Sequence, residues 1–600
     1  MATTFNNEAG QRLVSKALEH ADDPVVAPLL GALRLRLEQL VEPPSMPKRW
    51  SDRSAGRRAF EADLFGEAPK QSESHGFMQP PAMGRKMTDF SEDQQRGIQG
   101  SLDHPRVCFQ SGPGSGKTTT CIGVAQAQRG RGLYLAYNKP VQIDAARRFP
   151  SSVDCYTGHA LAKRGSDPSL FQGRRIGTPS AHQIAQFLGW STKTSLQSAW
   201  YVRETLGAFA NSADDYPVAK HVPRNLVRTL RRNFEKHGLD VRAADRAALA
   251  RCVKIAQAAG DLWQALTGPR QSNLPLPHDV YLKLFALRAP QLAYDYILYD
   301  EAQDATPAMV ALLRQQKSRL IAAGDRHQSI YQHRGAINAL DEFGGVTYPM
   351  LESFRFGQSI AEPANAILKL KGETQLLQGR GGGESSVFDA DTSLAQFLSQ
   401  GRTAVITRTN MTAFEIALSH SGQMPVSVVG GVDEMASMAE SAYALSRGLT
   451  EQVRHPMLRA FSDWHEFVDL TEATGDSDQK KLLELVLRYG ASLPQVVSRL
   501  KTEIVDEPRA NIIVTTAHRS KGREWDNVFV CDDFGNVFGP QGQLEADDEA
   551  LNVLYVPLTR ARHRLRINST AQTILDRRPE CPGMARGDDA PARQPIPHFS

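Results

Sequence analysis

Two short runs concentrate the reactive residue types of this sequence. The first is Gln110-Ser111-Gly112-Pro113-Gly114-Ser115-Gly116-Lys117-Thr118-Thr119. Glycines at alternate positions let backbone N–H groups converge on a polyphosphate, Lys117 reaches its outer phosphates, and the Thr118 hydroxyl can ligate Mg²⁺. Ser111 stands where the general pattern has glycine, but an apolar segment precedes the run and a helical one follows, as such a loop requires. Residues Ser111 to Thr119 are therefore expected at a nucleoside triphosphate. The second run is Asp300-Glu301-Ala302-Gln303-Asp304, entered from the apolar stretch Tyr296-Ile297-Leu298-Tyr299. A carboxylate at a strand end suits a cation: Asp300 is expected to hold Mg²⁺ opposite Thr118. Its neighbour Glu301 is placed to orient and deprotonate a water, which separates a hydrolase from a simple nucleotide binder.

Positioning two loops nearly 190 residues apart takes a scaffold of parallel strands. From Phe90 onward, short apolar runs alternate with helical patterns: Val107–Gln110, Leu133–Tyr137, Tyr296–Tyr299, Leu320–Gly324, Val405–Thr407, Val426–Val429, Ile512–Thr515 and Val528–Cys531. That alternation predicts an α/β protein with parallel sheets covered by helices on both faces. The expected organisation is an N-terminal helical segment and linker over 1–87, a first nucleotide-binding domain over 88–345 with a helical insertion at about 165–285, and a second domain over 346–570. The second domain carries a smaller helical insertion at about 432–508, and a Pro-rich tail over 571–600 is expected to be disordered.

The 600 residues are 41% hydrophobic and 23% charged, with a formal net charge of +4. This describes a globular chain of several domains whose mild basicity permits a polyanionic partner without demanding one. Six cysteines form no C-x-x-C pair, so free thiols in a reducing compartment are expected rather than disulfides or a zinc site. No targeting or membrane-spanning pattern is evident, and a cytoplasmic or, in a eukaryote, nucleoplasmic location is expected.

Further motifs occur in a recognisable order: Phe90-Ser91-Glu92-Asp93-Gln94, Ala136-Tyr137-Asn138-Lys139, Thr157-Gly158-His159-Ala160 and Gly324-Asp325-Arg326-His327-Gln328-Ser329-Ile330-Tyr331-Gln332-His333-Arg334-Gly335-Ala336. They continue with Ser353-Phe354-Arg355-Phe356, Thr516-Ala517-His518-Arg519-Ser520-Lys521-Gly522-Arg523-Glu524-Trp525 and Glu549-Ala550-Leu551-Asn552-Val553-Leu554-Tyr555-Val556-Pro557-Leu558-Thr559-Arg560-Ala561. Over roughly 88–570 this series resembles the UvrD/Rep-like DNA helicases of superfamily 1, and its motor is similar to the F-box DNA helicase branch. The resemblance implies two RecA-like domains, ATP and Mg²⁺ as cofactors, single-stranded or tailed duplex DNA as track, and 3′→5′ movement. By the same resemblance Gln94 reads the base, Phe354 packs on adenine, Glu524 binds ribose, Gln328 senses the γ-phosphate, and Arg355 and Arg560 stabilise the transition state. Tyr137, Thr157, His159, Tyr331, His333, Arg334, Thr516 and His518 face DNA; Tyr137, Tyr331 and His333 are the candidates for stacking on bases.

This sequence departs from the family at His333, where many relatives have Trp or Phe, at Ala136-Tyr137 in place of Phe-Thr, and in a short second insertion. Residues 1–87 show no F-box, and a protein partner through that segment is a further expectation. Arg224, Arg228, Arg231, Arg232 and Lys236 form a basic helical face that could track phosphates. Two other readings are a translocase that strips proteins from single strands without unwinding, and a DNA-responsive ATPase switch subunit of a larger complex.

Overall fold

The computed structural model describes residues 89–577, apart from 191–192, 229–230, 232–239, 269–271, 333–334, 382, 462 and 475. The expected segment 1–87 therefore lies outside the described residues. A first sheet is made of β1 (Arg106–Ser111), β2 (Gly132–Ala136), β3 (Val153–Thr157), β4 (Tyr296–Tyr299), β5 (Arg319–Gly324) and β6 (Val346–Met350), in the order β3-β2-β4-β5-β1-β6. Every pairing in it is parallel. The second sheet contains β7 (Ser386–Phe388), β8 (Thr403–Thr407), β9 (Val426–Val428), β10 (Ile512–Thr516), β11 (Trp525–Val530) and β12 (Ala561–Arg566), in the order β9-β10-β8-β11-β12-β7 and again wholly parallel. This is the α/β architecture of two parallel sheets that the alternation of patterns called for.

Period-2 alternation assigns each strand residue to one of two cores. In the first sheet Cys108, Leu133, Leu135, Ile297, Leu320 and Ala322 face one core. Their alternates Val107, Phe109, Tyr134, Ala136, Tyr296, Leu298, Ile321 and Ala323 face the other. The second core includes Ile98 of α1 (Glu92–Asp103) and Cys121, Ile122 and Val124 of α2 (Lys117–Ala127). The first is covered by α3 (Gly158–Arg164) and by the helices between β3 and β4, chiefly α4 (Lys193–Asn211), α5 (Val241–Thr267) and α6 (His278–Leu287). Strands buried on both faces read as near-continuous apolar runs, and this is why they were visible in the sequence.

The second sheet repeats the plan. Ala404, Ile406, Ile513, Val528, Val530 and Leu565 pack on α7 (Gln358–Leu370), while Val405, Ile512, Val514 and Phe529 pack on α8 (Asp433–Ser446), α9 (Ser477–Tyr489) and α10 (Leu493–Glu503). Two further helices, α11 (Asp548–Leu558) and α12 (Ser569–Asp576), close the first of these cores.

The structure departs from the expected boundaries at two points. Residues 346–350, assigned from sequence to the second domain, form β6 and pair with β1, with Phe109 opposite Tyr348. The tail expected from 571 begins inside α12, whose Ala571 and Ile574 are buried; residues 578–600 lie outside the described residues. Among the described residues no helix is long and apolar enough to cross a membrane.

Candidate nucleotide site and strand-facing surface

The loop between β1 and α2 turns through two left-handed glycines, Gly114 (φ 73°) and Gly116 (φ 79°). A Cβ on Gly114 would lie 2.6 Å from the Arg355 Cβ, and one on Gly116 would lie 2.6 Å from Gln94 Nε2, so both positions also need the missing side chain. Gly116 caps α2 without any side-chain hydrogen bond, which leaves the first N–H groups of the helix available to an anion. Ser115 Oγ is buried there with no hydrogen-bond partner, and a phosphate oxygen would satisfy it. Gln94 is engaged within the protein: its Oε1 accepts from Ser91 N at 3.1 Å and its Nε2 donates to Ser115 O at 2.9 Å. From the other side Phe354 N donates to Gly114 O at 2.9 Å, while the Phe354 ring is 48% exposed.

Asp300 follows β4 and is buried. Its Oδ1 accepts from Glu301 N at 2.9 Å, and its Oδ2 accepts from Tyr134 Oη at 2.5 Å and from Thr118 Oγ1 at 3.4 Å. Burial, then the adjacent Glu301, push the Asp300 carboxyl above the usual range. Among the described residues no three His, Cys, Asp or Glu side chains gather as a metal cage. One hydroxyl and one carboxylate nevertheless fit Mg²⁺, which keeps waters and takes substrate phosphates as its other ligands.

Glu301 is one of two non-glycine residues with positive φ among the described residues (φ 53°, ψ 41°). Such backbone costs about 1–3 kcal/mol and persists where surrounding contacts enforce it. The contacts are Lys117 Nζ at 4.0 Å, Lys521 Nζ at 3.7 Å and a hydrogen bond from Gln303. Burial opposes the charge, but Lys117, Lys521 and Gln303 hold the Glu301 carboxyl down at about 2.

The second half reaches the same cleft. Arg560, 1% exposed, donates through Nη2 to Gln328 Oε1 and to Thr559 Oγ1, each at 2.9 Å, and through Nε to Val556 O at 2.9 Å. Gln328 in turn donates to Asp325 Oδ2 at 2.7 Å. Burial, reinforced by Arg355, lowers Arg560 to about 9. Arg355 donates to Glu524 Oε2 and to Thr559 O, both at 2.7 Å. Glu524, expected at a ribose, is thus tied to an arginine.

Tyr137 and Tyr331 stack with centroids 6.4 Å apart and planes 21° apart, and Tyr331 touches His518 at 5.7 Å. Tyr137 is 46% exposed. Thr157 and Thr516 each end a strand and cap the following helix, accepting from Ala160 N and Arg519 N. His159 belongs to a separate group, bonded to Asp279 Oδ1 at 2.9 Å and edge-on to His278 and Tyr281. His333 and Arg334 lie outside the described residues, as do Arg232 and Lys236 of the basic face; Arg231 of that face pairs with Asp245.

The structure adds residues not singled out from sequence. Lys521 is 6% exposed at its side chain, pairs with the buried Asp304, donates to Gln328 O at 2.8 Å and lies 5.7 Å from the Tyr331 ring centre. It joins the candidate nucleotide cleft to the aromatic group. Burial, partly offset by Lys521, raises the Asp304 carboxyl to about 6. Tyr134 was read only as part of an apolar strand.

Two parallel-sheet lobes that share one phosphate loop, an Asp-Glu strand end and a pair of arginines from the second lobe define a bilobal P-loop protein of the RecA-like kind. Family models agree in both halves: the UvrD/REP helicase N-terminal domain matches residues 283–342 and the UvrD-like helicase C-terminal domain matches residues 432–572. F-box DNA helicase protein 1 of Schizosaccharomyces pombe is 32% identical over 502 residues, covering 76% of this chain and 55% of that protein. F-box DNA helicase 1 of Gallus gallus is 27% identical over 532 residues, covering 81% of this chain and 50% of the relative. The two halves of the chain thus resemble the N- and C-terminal domains of UvrD-like helicases. It spans about half the length of the curated relatives it matches.

Proposed function

We propose that the chain is an ATP- and Mg²⁺-dependent DNA motor that moves 3′→5′ along single-stranded DNA and opens duplex ahead of it. The observation that carries this reading is the meeting in one cleft of Lys117, Glu301 and Gln328 from the first lobe with Arg355, Lys521 and Arg560 from the second.

In this reading the loop amides and Lys117 bind the phosphates of ATP. Thr118 and Asp300 would hold Mg²⁺, which when bound neutralises charge on the phosphate oxygens. Glu301, kept ionised by its two lysines, orients a water whose oxygen bonds to the γ-phosphorus as the bond to the β,γ-bridging oxygen breaks. ADP and phosphate leave, and the water proton passes through the carboxylate to solvent. Charge spread over the equatorial oxygens is met by Arg355 and Arg560 only when the lobes are together, so closure and hydrolysis are linked. Lys521 extends that link to Tyr331 and Tyr137, whose flat faces can hold bases. Opening a base pair costs about 1.4 kcal/mol in stacking, which ATP turnover can supply.

The test is ATP hydrolysis by wild type and Glu301→Gln, with and without single-stranded DNA, followed by unwinding of 3′- and 5′-tailed duplexes. Hydrolysis stimulated by DNA and absent in Glu301→Gln, with opening of the 3′-tailed duplex alone, is the expected result. Hydrolysis indifferent to DNA would favour a switch subunit, and stimulation without unwinding would favour a protein-stripping translocase.

A further inference from the structure

We propose that Tyr134 is a positioning residue that aims the Asp300 carboxylate at the divalent cation of the bound nucleotide and thereby sets the protein's Mg²⁺ requirement. This rests on the nucleotide-site reading above.

Tyr134 lies in the middle of β2, fully buried, with Cys155 of β3 and Leu298 of β4 as its register partners. Its ring packs in the core beside Cys121 and against Phe149, centroids 4.6 Å apart. Phenylalanine would fill that space equally well, and a hydroxyl carried into a dry core costs free energy unless it finds a partner. The partner here is Asp300 Oδ2, 2.5 Å away and 166 residues distant in sequence.

The other holds on this carboxylate are unequal. Glu301 N fixes Oδ1 at 2.9 Å, but Thr118 Oγ1 reaches Oδ2 only at 3.4 Å. Thr118 is also the hydroxyl expected to turn toward the cation. Once it does so, Tyr134 is the side chain left holding Oδ2. The terminal torsion of an aspartate is broad, with no steep wells of its own, so the plane of the carboxylate is set by these bonds. Outer groups that orient a metal ligand in this way typically change metal affinity 10–100-fold when removed.

The test uses the full chain with Tyr134→Phe, which deletes one oxygen and keeps the packing. A fluorescent non-hydrolysable ATP analogue is titrated against both proteins in EDTA and across a Mg²⁺ series. The expected result is unchanged affinity in EDTA and a half-saturating Mg²⁺ concentration raised by about tenfold or more. Equal Mg²⁺ dependence in the two proteins overturns the proposal. So does an affinity loss of the same size with and without metal, which would assign Tyr134 to packing alone; equal thermal midpoints for the two proteins check that the fold is kept. If wild type, too, shows no metal-dependent binding, or if Lys117→Ala binds as wild type does, the nucleotide-site reading itself fails and this proposal falls with it.

Discussion

Lys521 makes a quantitative test of how the two lobes are joined. Its ammonium pairs with Asp304, whose side chain is 1% exposed, and lies 3.7 Å from Glu301. Asp304 already sits at about 6 rather than 3.8, because burial outweighs the help it receives from Lys521. A raised carboxylate is favoured in its protonated form. The associated stability is complete below pH 3.8 and is lost as pH rises through about 6. That gap of about 2 units corresponds to roughly 3 kcal/mol at 1.36 kcal/mol per unit. Lys521→Met removes the opposing cation, so Asp304 must either stay charged without a partner or take up a proton. Breaking a buried pair from one side costs about 3–5 kcal/mol, and this penalty should be near its maximum at pH 8 and shrink by pH 5. Adding Asp304→Asn removes the stranded charge and should recover most of the loss. Urea midpoints at the two pH values read the stability. DNA-stimulated ATPase then separates function from folding: the double variant, though stable, should no longer respond to single-stranded DNA, because the cation between Tyr331 and Glu301 is gone. A Lys521→Met protein as stable as wild type at pH 8, or one equally destabilised at both pH values, would refute the reasoning.

Arg560→Lys should lower single-turnover hydrolysis by about 10³-fold, or roughly 4 kcal/mol of transition-state stabilisation, while nucleotide affinity stays within a few-fold, since an ammonium cannot reproduce the guanidinium fork. Tyr331→Leu should weaken single-stranded DNA binding by about 1–3 kcal/mol, measured by fluorescence anisotropy with a labelled oligonucleotide, and leave ATP affinity in the absence of DNA unchanged. Gly114→Ala should abolish binding of a labelled ATP analogue without unfolding the chain, because alanine is strained at φ 73° and its Cβ would meet the Arg355 Cβ at 2.6 Å; normal binding would remove Gly114 from the site.

The sequence made the central strands legible because both of their faces are buried. Four strands of the two six-stranded sheets escaped it, and each has a local reason. Three lie at sheet edges, among them Val346–Met350, which contains Pro349 and begins with an exposed Val346, and Ser386–Phe388, with three residues. Edge strands are polar and tolerate proline, so they lack the apolar run that marks a central strand. Val153–Thr157 is the opposite edge of the first sheet. Ala561–Arg566 is masked by its arginines; Arg566 is nonetheless buried, satisfied by Asp532 and by the carbonyls of Val530 and Ala390. The Gly-rich loop and the Asp-Glu pair stand out in the sequence because close backbone approach calls for glycine and a cation site calls for a carboxylate, both encoded locally. Lys521 and Tyr134 act through partners 217 and 166 residues away, and no local pattern carries that information.

The charges in the cleft bear on how a nucleotide would tighten the join between the lobes. Arg560 directs its hydrogen bonds to neutral acceptors: Gln328 Oε1, Thr559 Oγ1, Val556 O and, at 3.5 Å, Arg523 O. Arg355 shares Thr559 with it and adds to the lowering of its pKa, the sign of repulsion between the two guanidinium groups. Arg355 keeps Glu524 as a partner, but that carboxylate is 44% exposed and screened by water. Lys117 has Glu301 no nearer than 4.0 Å, and Glu301 is shared with Lys521. Cations and carboxylates therefore alternate across the cleft: Asp325 as well as Glu301 faces Arg560, and Lys521 pairs with Asp304. Under the proposed function a triphosphate would add negative charge at the loop where Ser115 Oγ lacks a partner, strengthening a join that Arg560–Gln328 and Lys521–Asp304 already make. Release of the γ-phosphate would, under the same proposal, withdraw that added charge and loosen the join. The hydrogen bond from Tyr331 Oη to His518 O ties the aromatic surface to the same join between the lobes.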